Sequence, residues 1–155
     1  MDNKCKTQIL EGVIEQKQAD NLYEYLRDNI KWEQGIPSKK GPTRLAKSID
    51  LNDYPELNEI IQFVLRKISD KKYFIFGTYL NYYKDGKMWT PNHTHQKTHQ
   101  LVISIGGTRK LTLGKKEIDM KNGDAAIFGS IVHGVPKDNN VVEGRISLAT
   151  FMTPI

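Results

Sequence analysis

The sequence predicts an α+β fold that is mainly β: a double-stranded β-helix (jelly roll) with two N-terminal helices packed on one sheet. Three observations predict it. The first half carries two amphipathic helical patterns, the second half carries five short runs rich in β-branched and aromatic residues, and turn residues separate those runs. A length of 155 residues corresponds to one domain. We therefore expect a single unit over 1–155, helical over 1–72 and jelly roll over 73–155.

Both helices are predicted from the positions of apolar residues and proline. Leu22, Leu26 and Ile30 recur at four-residue intervals, which predicts an amphipathic helix over 17–30. A second helix is expected to begin near Pro55, because the fixed φ of proline suits the first helical turn. The glycine- and proline-rich segment between the two helices predicts a loop.

The strands are predicted from runs of Val, Ile, Tyr, Phe and Thr bounded by turn residues. Closure of such strands into two sheets protects the edges that each strand would otherwise expose. The predicted strands are 73–83, 100–105, 108–113, 125–128 and 145–152.

Composition excludes several classes of protein. Apolar residues make up 38% and charged residues 26% of the chain, which is typical of a globular domain and not of a disordered one. No apolar run approaches the roughly 20 residues of a transmembrane helix, and the N-terminus lacks the apolar core of a secretory signal. The single cysteine, Cys5, predicts a free thiol and a reducing compartment. We expect a monomer of the cytoplasm or nucleus without membrane contact.

The net charge is +5 and the pI is near 9.2. A basic protein attracts phosphates and other acidic partners. The lysines are spread along the whole chain, however, and this pattern is also typical of a solvated basic surface.

The four histidines provide the strongest functional signal. His93 and His95 flank one residue, so in a strand both rings would point to the same face, as two neighbouring ligands of one metal require. His133 would complete a set of ligands on one side of the ion and leave other positions open. Spacing alone leaves open the alternative of a polar loop whose histidines face solvent. His99 would fit a fourth ligand, a second-sphere group or a surface residue, and we expect one of the last two.

Several segments resemble the AlkB-like family of Fe(II)/2-oxoglutarate dioxygenases. The run 81–86 followed by 93–95 resembles the family's Asn-x-Tyr, glycine turn and His-x-Asp, and 103–110 is similar to the strand after the metal motif. The runs 133–137 and 145–148 resemble its distal histidine and its 2-oxoglutarate arginine. The resemblance covers roughly 32–151, and its strongest part is the ordered set His93, His133 and Arg145.

The resemblance implies a metal site and a cosubstrate site. His93, His95 and His133 would hold Fe(II). Arg145 would pair with the far carboxylate of 2-oxoglutarate through a bidentate fork. The remaining cosubstrate contacts that the resemblance implies are Asn81 and Tyr83.

The resemblance also implies a substrate and the residues that face it. The implied reaction is oxidative dealkylation of N-alkylated nucleobases, with DNA or RNA as partner and no catalytic residue beyond the metal site. Arg44 belongs to a Pro-x-Arg segment on the family's substrate side. Trp89 and Trp32 are candidates for the aromatic wall that stacks the base.

Two residues depart from the family pattern. His95 stands where the family has Asp. The segment from Gly86 to Lys116 contains no Asp or Glu, so no neighbouring acid can replace that carboxylate. Three neutral imidazoles leave the metal site one charge unit more positive than two imidazoles and a carboxylate. The last strand ends with Phe151 and Met152 where the family usually has Phe-Arg, so a second arginine is missing.

Two other functions fit the sequence. The first is a cupin-like metal-binding enzyme or module that acts on a small-molecule substrate. The first cupin motif is resembled by Gly86, His93, His95, His99 and Gly106, with His99 in place of Glu. Arg145 has no required role in that fold, so binding of 2-oxoglutarate separates the two interpretations. A catalytically silent member of the family would bind metal without producing succinate.

Overall fold

The computed structural model describes residues 5–155. It contains two α-helices, α1 (Gln16–Asn29) and α2 (Pro55–Ile68), and a short 3-10 helix, Leu51–Asp53. The strands in chain order are β1 (Gln8–Leu10), β2 (Glu33–Gln34), β3 (Leu45–Ile49), β4 (Tyr73–Tyr83), β5 (Thr90–His93), β6 (His99–Gly106), β7 (Arg109–Leu113), β8 (Lys116–Met120), β9 (Ala125–Phe128), β10 (His133–Val135) and β11 (Arg145–Pro154).

The strands form two antiparallel sheets. The larger sheet has seven strands in the order β1-β9-β6-β11-β4-β3-β2, and the smaller has four in the order β5-β10-β7-β8. The prediction of a mainly β fold with two helices is therefore confirmed. No helix among the described residues is both long enough and apolar enough to cross a membrane.

Two apolar cores show how the layers stack. The first core joins α1 and α2 to one face of the large sheet, through residues such as Leu26, Ile61 and Leu148. The second core contains Val102 of the large sheet and Leu111 of the small one, so it lies between the two sheets. Alternate residues of a strand face opposite sides. The large sheet therefore presents one face to the helices and an inner face to the small sheet.

Both predicted helices are present. α2 begins at Pro55, as the proline predicted, and α1 begins at Gln16, one residue before the predicted start. The pattern missed six of the described strands: β1, β2 and β3, all of which precede residue 72, and β5, β8 and β10. These strands are short, and β3 is held by pairing with β4, where Ala46 lies opposite Asn81. Such long-range pairing leaves no local periodicity in the sequence.

Candidate metal centre

The fold brings three histidines together. Strands β5 and β10 pair so that His93 lies directly opposite His133, and His95 follows in the loop after β5. One ring nitrogen from each histidine lies within 4.8 Å of the other two. The ring centroids are 4.4 Å apart for His93 and His133, 4.9 Å for His93 and His95, and 5.5 Å for His95 and His133.

The main chain fixes which ring nitrogen is available in two of these histidines. His93 Nδ1 lies 2.7 Å from the Pro91 carbonyl oxygen, and His133 Nδ1 lies 2.8 Å from that of Ile131. A carbonyl oxygen only accepts hydrogen bonds, so each Nδ1 carries a proton, and in the neutral imidazole Nε2 then holds the lone pair. His133 Nε2 is buried and has no hydrogen-bond partner. A buried acceptor of this kind is suited to a metal ion.

Burial favours the neutral form of His95 and His133. The pKa of His133 is lowered to about 4, first by burial and then by the neighbouring His93 and His95. Burial and His93 also lower the pKa of His95. A neutral imidazole is the form that binds metals. Nitrogens about 2.1 Å from one ion lie no more than about 4.2 Å apart, so a small rotation of the rings suffices and the three residues fit a metal ion.

Two aromatic residues pack against the histidines. The Phe128 ring lies 4.7 Å from His133, and the Phe151 ring lies 4.8 Å from His95. The loop that carries His95 is held by Ser130, whose hydroxyl donates to the His95 carbonyl and accepts from the Lys97 backbone N–H. The predicted metal ligands are thus gathered between the sheets, and their role as ligands stays a prediction.

His99 lies apart from the three histidines. It is buried at the start of β6, and its ring lies 5.8 Å from the ring of Tyr73. Leu101, which points to the same side of β6, belongs to the core beneath the helices. The expectation of a surface residue or a second-sphere group was therefore wrong, because His99 lies on the helix side of the large sheet.

Arg145 is buried on the inner face of the large sheet. Only 1% of its surface is exposed, its Nε donates to Ser104 Oγ at 2.8 Å, and its Nη2 is buried without a partner. Burial lowers its pKa to about 10, so the guanidinium remains charged at neutral pH. Among the described residues no acidic side chain pairs with it. A buried cation without a counter-ion is a suitable anchor for an anionic ligand.

A second buried arginine supports this site and was missed in the sequence. The guanidinium groups of Arg109 and Arg145 each lie 5.3 Å from the centre of the Tyr83 ring. Arg109 donates to the carbonyl oxygens of Asp85, Met88 and Pro136, so it ties together the chain around the site. Only its position within a strand pattern could have suggested burial, and that pattern does not distinguish buried from exposed arginines.

The other predicted polar residues line the same inner face. Asn81 Oδ1 accepts a hydrogen bond from Arg44 Nε at 3.1 Å, and Asn81 Nδ2 lies 3.5 Å from Ser147 Oγ. The Tyr83 hydroxyl lies 2.6 Å from Thr90 Oγ1, so it is already engaged. Ser147, two residues after Arg145 on the same face of β11, was not predicted as a site residue.

The two tryptophans do not stand beside the histidines. Trp89 lines a cavity of about 330 Å³ with Lys40, Asn92 and Lys137, and none of the three clustered histidines lines it. Trp32 was a wrong candidate for a substrate wall. It packs on Tyr82, with ring centroids 5.2 Å apart, in the core on the helix side of the sheet.

Solved structures of low sequence identity share the fold. A viral collagen prolyl hydroxylase from Paramecium bursaria Chlorella virus-1, in a 2OG complex, is 14% identical and has a TM-score of 0.65 over 95% of this chain and 96% of that chain. An oxidoreductase of the 2OG-Fe(II) oxygenase family from Burkholderia pseudomallei is 14% identical, with a TM-score of 0.67 over 95% and 85%. A predicted oxalate decarboxylase from Thermotoga maritima is 12% identical, with a TM-score of 0.55 over 81% and 95%.

The similarity extends over nearly the whole chain but concerns the fold alone. No family model matches the sequence, and no curated protein matches it. The resemblance to the AlkB-like family therefore stays a prediction. The chain shares its fold with solved 2OG-Fe(II) oxygenases.

Proposed function

We propose that the chain is an Fe(II)- and 2-oxoglutarate-dependent dioxygenase built on a double-stranded β-helix. One observation carries the proposal: three clustered histidines face a buried arginine that has no acidic partner among the described residues. His133 and His93 belong to the small sheet, and Arg145 belongs to the inner face of β11. Phe151 of β11 reaches His95 and so connects the two groups.

The histidines would hold the metal. The Nε2 atoms of His93 and His133 are left free by their Nδ1 contacts, and His95 supplies the third ring nitrogen. Bound Fe(II) supplies the redox chemistry by which dioxygen oxidises 2-oxoglutarate and a substrate carbon. Because all three ligands are neutral, the full charge of the ion remains to attract the anionic cosubstrate.

Arg145 would bind the far carboxylate of 2-oxoglutarate. Its Nε is held by Ser104, so the guanidinium is fixed before the ligand arrives. The unpartnered Nη2 is available to donate to a carboxylate oxygen. Ser147 and Asn81 offer further hydrogen-bonding groups on the same face.

For the substrate we propose an N-alkylated nucleobase in DNA or RNA, whose alkyl carbon is oxidised. Arg44 supports this assignment as a cation joined to Asn81 at the edge of the inner face. The net charge of +5 favours a polyanionic partner. Trp89, in its separate cavity beside Lys137, would contact the strand outside the metal centre.

A cupin-like metal enzyme is the second candidate. The all-histidine ligand set and the fold similarity to a predicted oxalate decarboxylase favour it. Such an enzyme has no requirement for a carboxylate anchor at Arg145.

Succinate formation from 2-oxoglutarate distinguishes these candidates. The full chain is loaded with Fe(II) without oxygen, its iron content is measured, and succinate is followed after oxygen is admitted, with and without an alkylated oligonucleotide. We expect one iron per chain and succinate that increases with the alkylated strand. Iron binding without binding of 2-oxoglutarate would favour the cupin-like enzyme. Iron and 2-oxoglutarate binding without succinate would indicate a catalytically silent protein.

A further inference from the structure

Strand β4 exposes an unusual number of aromatic rings. Phe74, Phe76 and Tyr79 are 58%, 54% and 43% exposed. We call these three residues the aromatic strip. Large apolar side chains that cluster on a surface mark binding sites, because leaving them in water is unfavourable.

The register of β4 and β11 places the strip on the inner face of the large sheet. Tyr79 has the same parity as Asn81 and Tyr83, which face the site. The pairing shifts at a bulge where Phe151 lies opposite Gly77, and Phe76 is the extra residue. The bulge turns both Phe74 and Phe76 to the side of Tyr79, beyond the end of the small sheet.

The strip is continuous with the candidate metal centre. The Tyr79 ring packs edge-on against Phe151 at 5.6 Å, and Phe151 packs edge-on against His95 at 4.8 Å. Gly77 permits this packing, since a Cβ at that position would lie 3.3 Å from the Tyr79 ring. An aromatic path thus leads from the histidines to the surface.

The segments that carry this path contain no acidic residue, and Asp50, which follows β3 beside β4, accepts a hydrogen bond from the Asn52 backbone N–H. Asp and Glu are absent from 71–84, 86–116, 125–137 and 144–155, which supply all the strands that line the site. Lysines lie at both ends of the path: Lys72 precedes the strip, and the exposed Lys97 follows His95. This surface therefore suits a polyanion that carries flat apolar groups.

We propose that the aromatic strip binds single-stranded nucleic acid, with unpaired bases stacked on Phe76 and Tyr79 and the next base directed toward His95. This inference rests on the proposed function and assigns the strand-binding surface of the same site. A sequence-tolerant site of this kind combines stacking rings with flanking cations. β3 pairs with residues 78–82 of β4, so the start of β4 has one free side. Pairing of that side with a peptide or a second copy is disfavoured by the bulge at Phe76 and by Lys71 and Lys72 at the strand's start.

The test measures binding of unmodified strands to the full chain without iron or 2-oxoglutarate. Fluorescently labelled oligothymidylate and oligouridylate of about 15 nucleotides, single-stranded and as duplexes, are titrated in anisotropy experiments at low and moderate salt. The variants are Phe76→Ser and Tyr79→Ser, with Phe76→Tyr as a conservative change. Phe63→Ser is the matched control, because Phe63 is an exposed phenylalanine on α2.

We expect each serine variant to bind single strands roughly 5-fold to 150-fold more weakly than the native chain, as the loss of one stacked base requires. Phe76→Tyr and Phe63→Ser should bind like the native chain, and duplexes should bind more weakly than single strands. A comparison of the two oligonucleotides shows whether DNA or RNA is preferred.

Two outcomes would overturn the inference. Native-like binding by both serine variants would show that the strip is not the strand-binding surface. A native dimer in sedimentation that Phe76→Ser converts to monomers would show that the strip covers a second copy. Either outcome leaves the proposed chemistry intact if iron and 2-oxoglutarate still bind to the native chain. If the native chain binds single strands but does not bind 2-oxoglutarate, the proposed function is rejected instead.

Discussion

Replacing Arg145 by methionine should separate cosubstrate binding from stability. Methionine fills most of the volume of arginine and has no charge. The variant therefore removes the proposed carboxylate anchor without opening a large cavity. Alanine would add a cavity at a site that is only 1% exposed, and would confuse the two effects.

The two effects of this change have different expected sizes. Burial lowers the Arg145 pKa from its usual value to about 10, which corresponds to an unfavourable free energy of about 3 kcal/mol for the buried charge. The hydrogen bond to Ser104 opposes this cost by about 1.5–3 kcal/mol. The free energy of unfolding should therefore change by less than about 2 kcal/mol. Losing the contact to a carboxylate should weaken 2-oxoglutarate binding roughly ten-fold to a hundred-fold.

The assay combines calorimetry of 2-oxoglutarate binding to the iron-loaded, oxygen-free protein with urea unfolding of the same samples. Arg27→Met is the control, since Arg27 is an exposed arginine paired with Asp28 on α1. It should leave cosubstrate affinity unchanged. If Arg145→Met binds 2-oxoglutarate as tightly as the native chain, Arg145 is not the anchor. If the variant loses several kcal/mol of stability, contacts beyond the Ser104 hydrogen bond offset the cost of the buried charge.

Three further predictions concern the histidines. His133→Ala should abolish the binding of one equivalent of Fe(II) or Mn(II), whereas His99→Gln, on the other face of the sheet, should retain it; unchanged metal content in His133→Ala would reject the three-ligand site. In the metal-free protein, His133 should make the free energy of unfolding depend on pH. The pKa of His133 is about 4 in the folded state and about 6.5 in the unfolded state, so the unfolded state takes up a proton first as the pH falls. Up to about 3 kcal/mol of the free energy of unfolding should therefore be lost between pH 6.5 and pH 4. His133→Asn should lack this part of the pH dependence in urea unfolding, and an identical dependence in the two proteins would contradict the assignment. His95→Asp should raise succinate formed per iron by supplying an anionic ligand, and a fall in both iron affinity and turnover would show that His95 is an adapted ligand.

The sequence predicted those parts of the molecule that local patterns encode. Four-residue spacing and Pro55 located both helices, and the run before Lys84 located β4. The close approach of His93 and His133 was predicted from residue type and order, although only the pairing of β5 with β10 creates it.

The positions that the sequence did not predict depend on contacts between distant segments of the chain. Trp32 is an aromatic residue of the kind that could form a substrate wall, but it packs on Tyr82 on the helix side of the large sheet. His99 has the spacing of a ligand, yet its position on β6 turns it to the opposite side of the sheet. Ser147 and the strip on β4 become apparent only when the register of β4 and β11 is known.

The hydrogen bonds to Nδ1 of His93 and His133 have a consequence for how this protein could change in evolution. Both acceptors are carbonyl oxygens two residues earlier in the chain, those of Pro91 and Ile131. Every amino acid supplies the same carbonyl, so mutation of the side chain at either position leaves the tautomer of the histidine intact. Orientation of these two rings is therefore robust to drift in the surrounding sequence. This arrangement would permit proteins to keep such a centre while their sequences diverge.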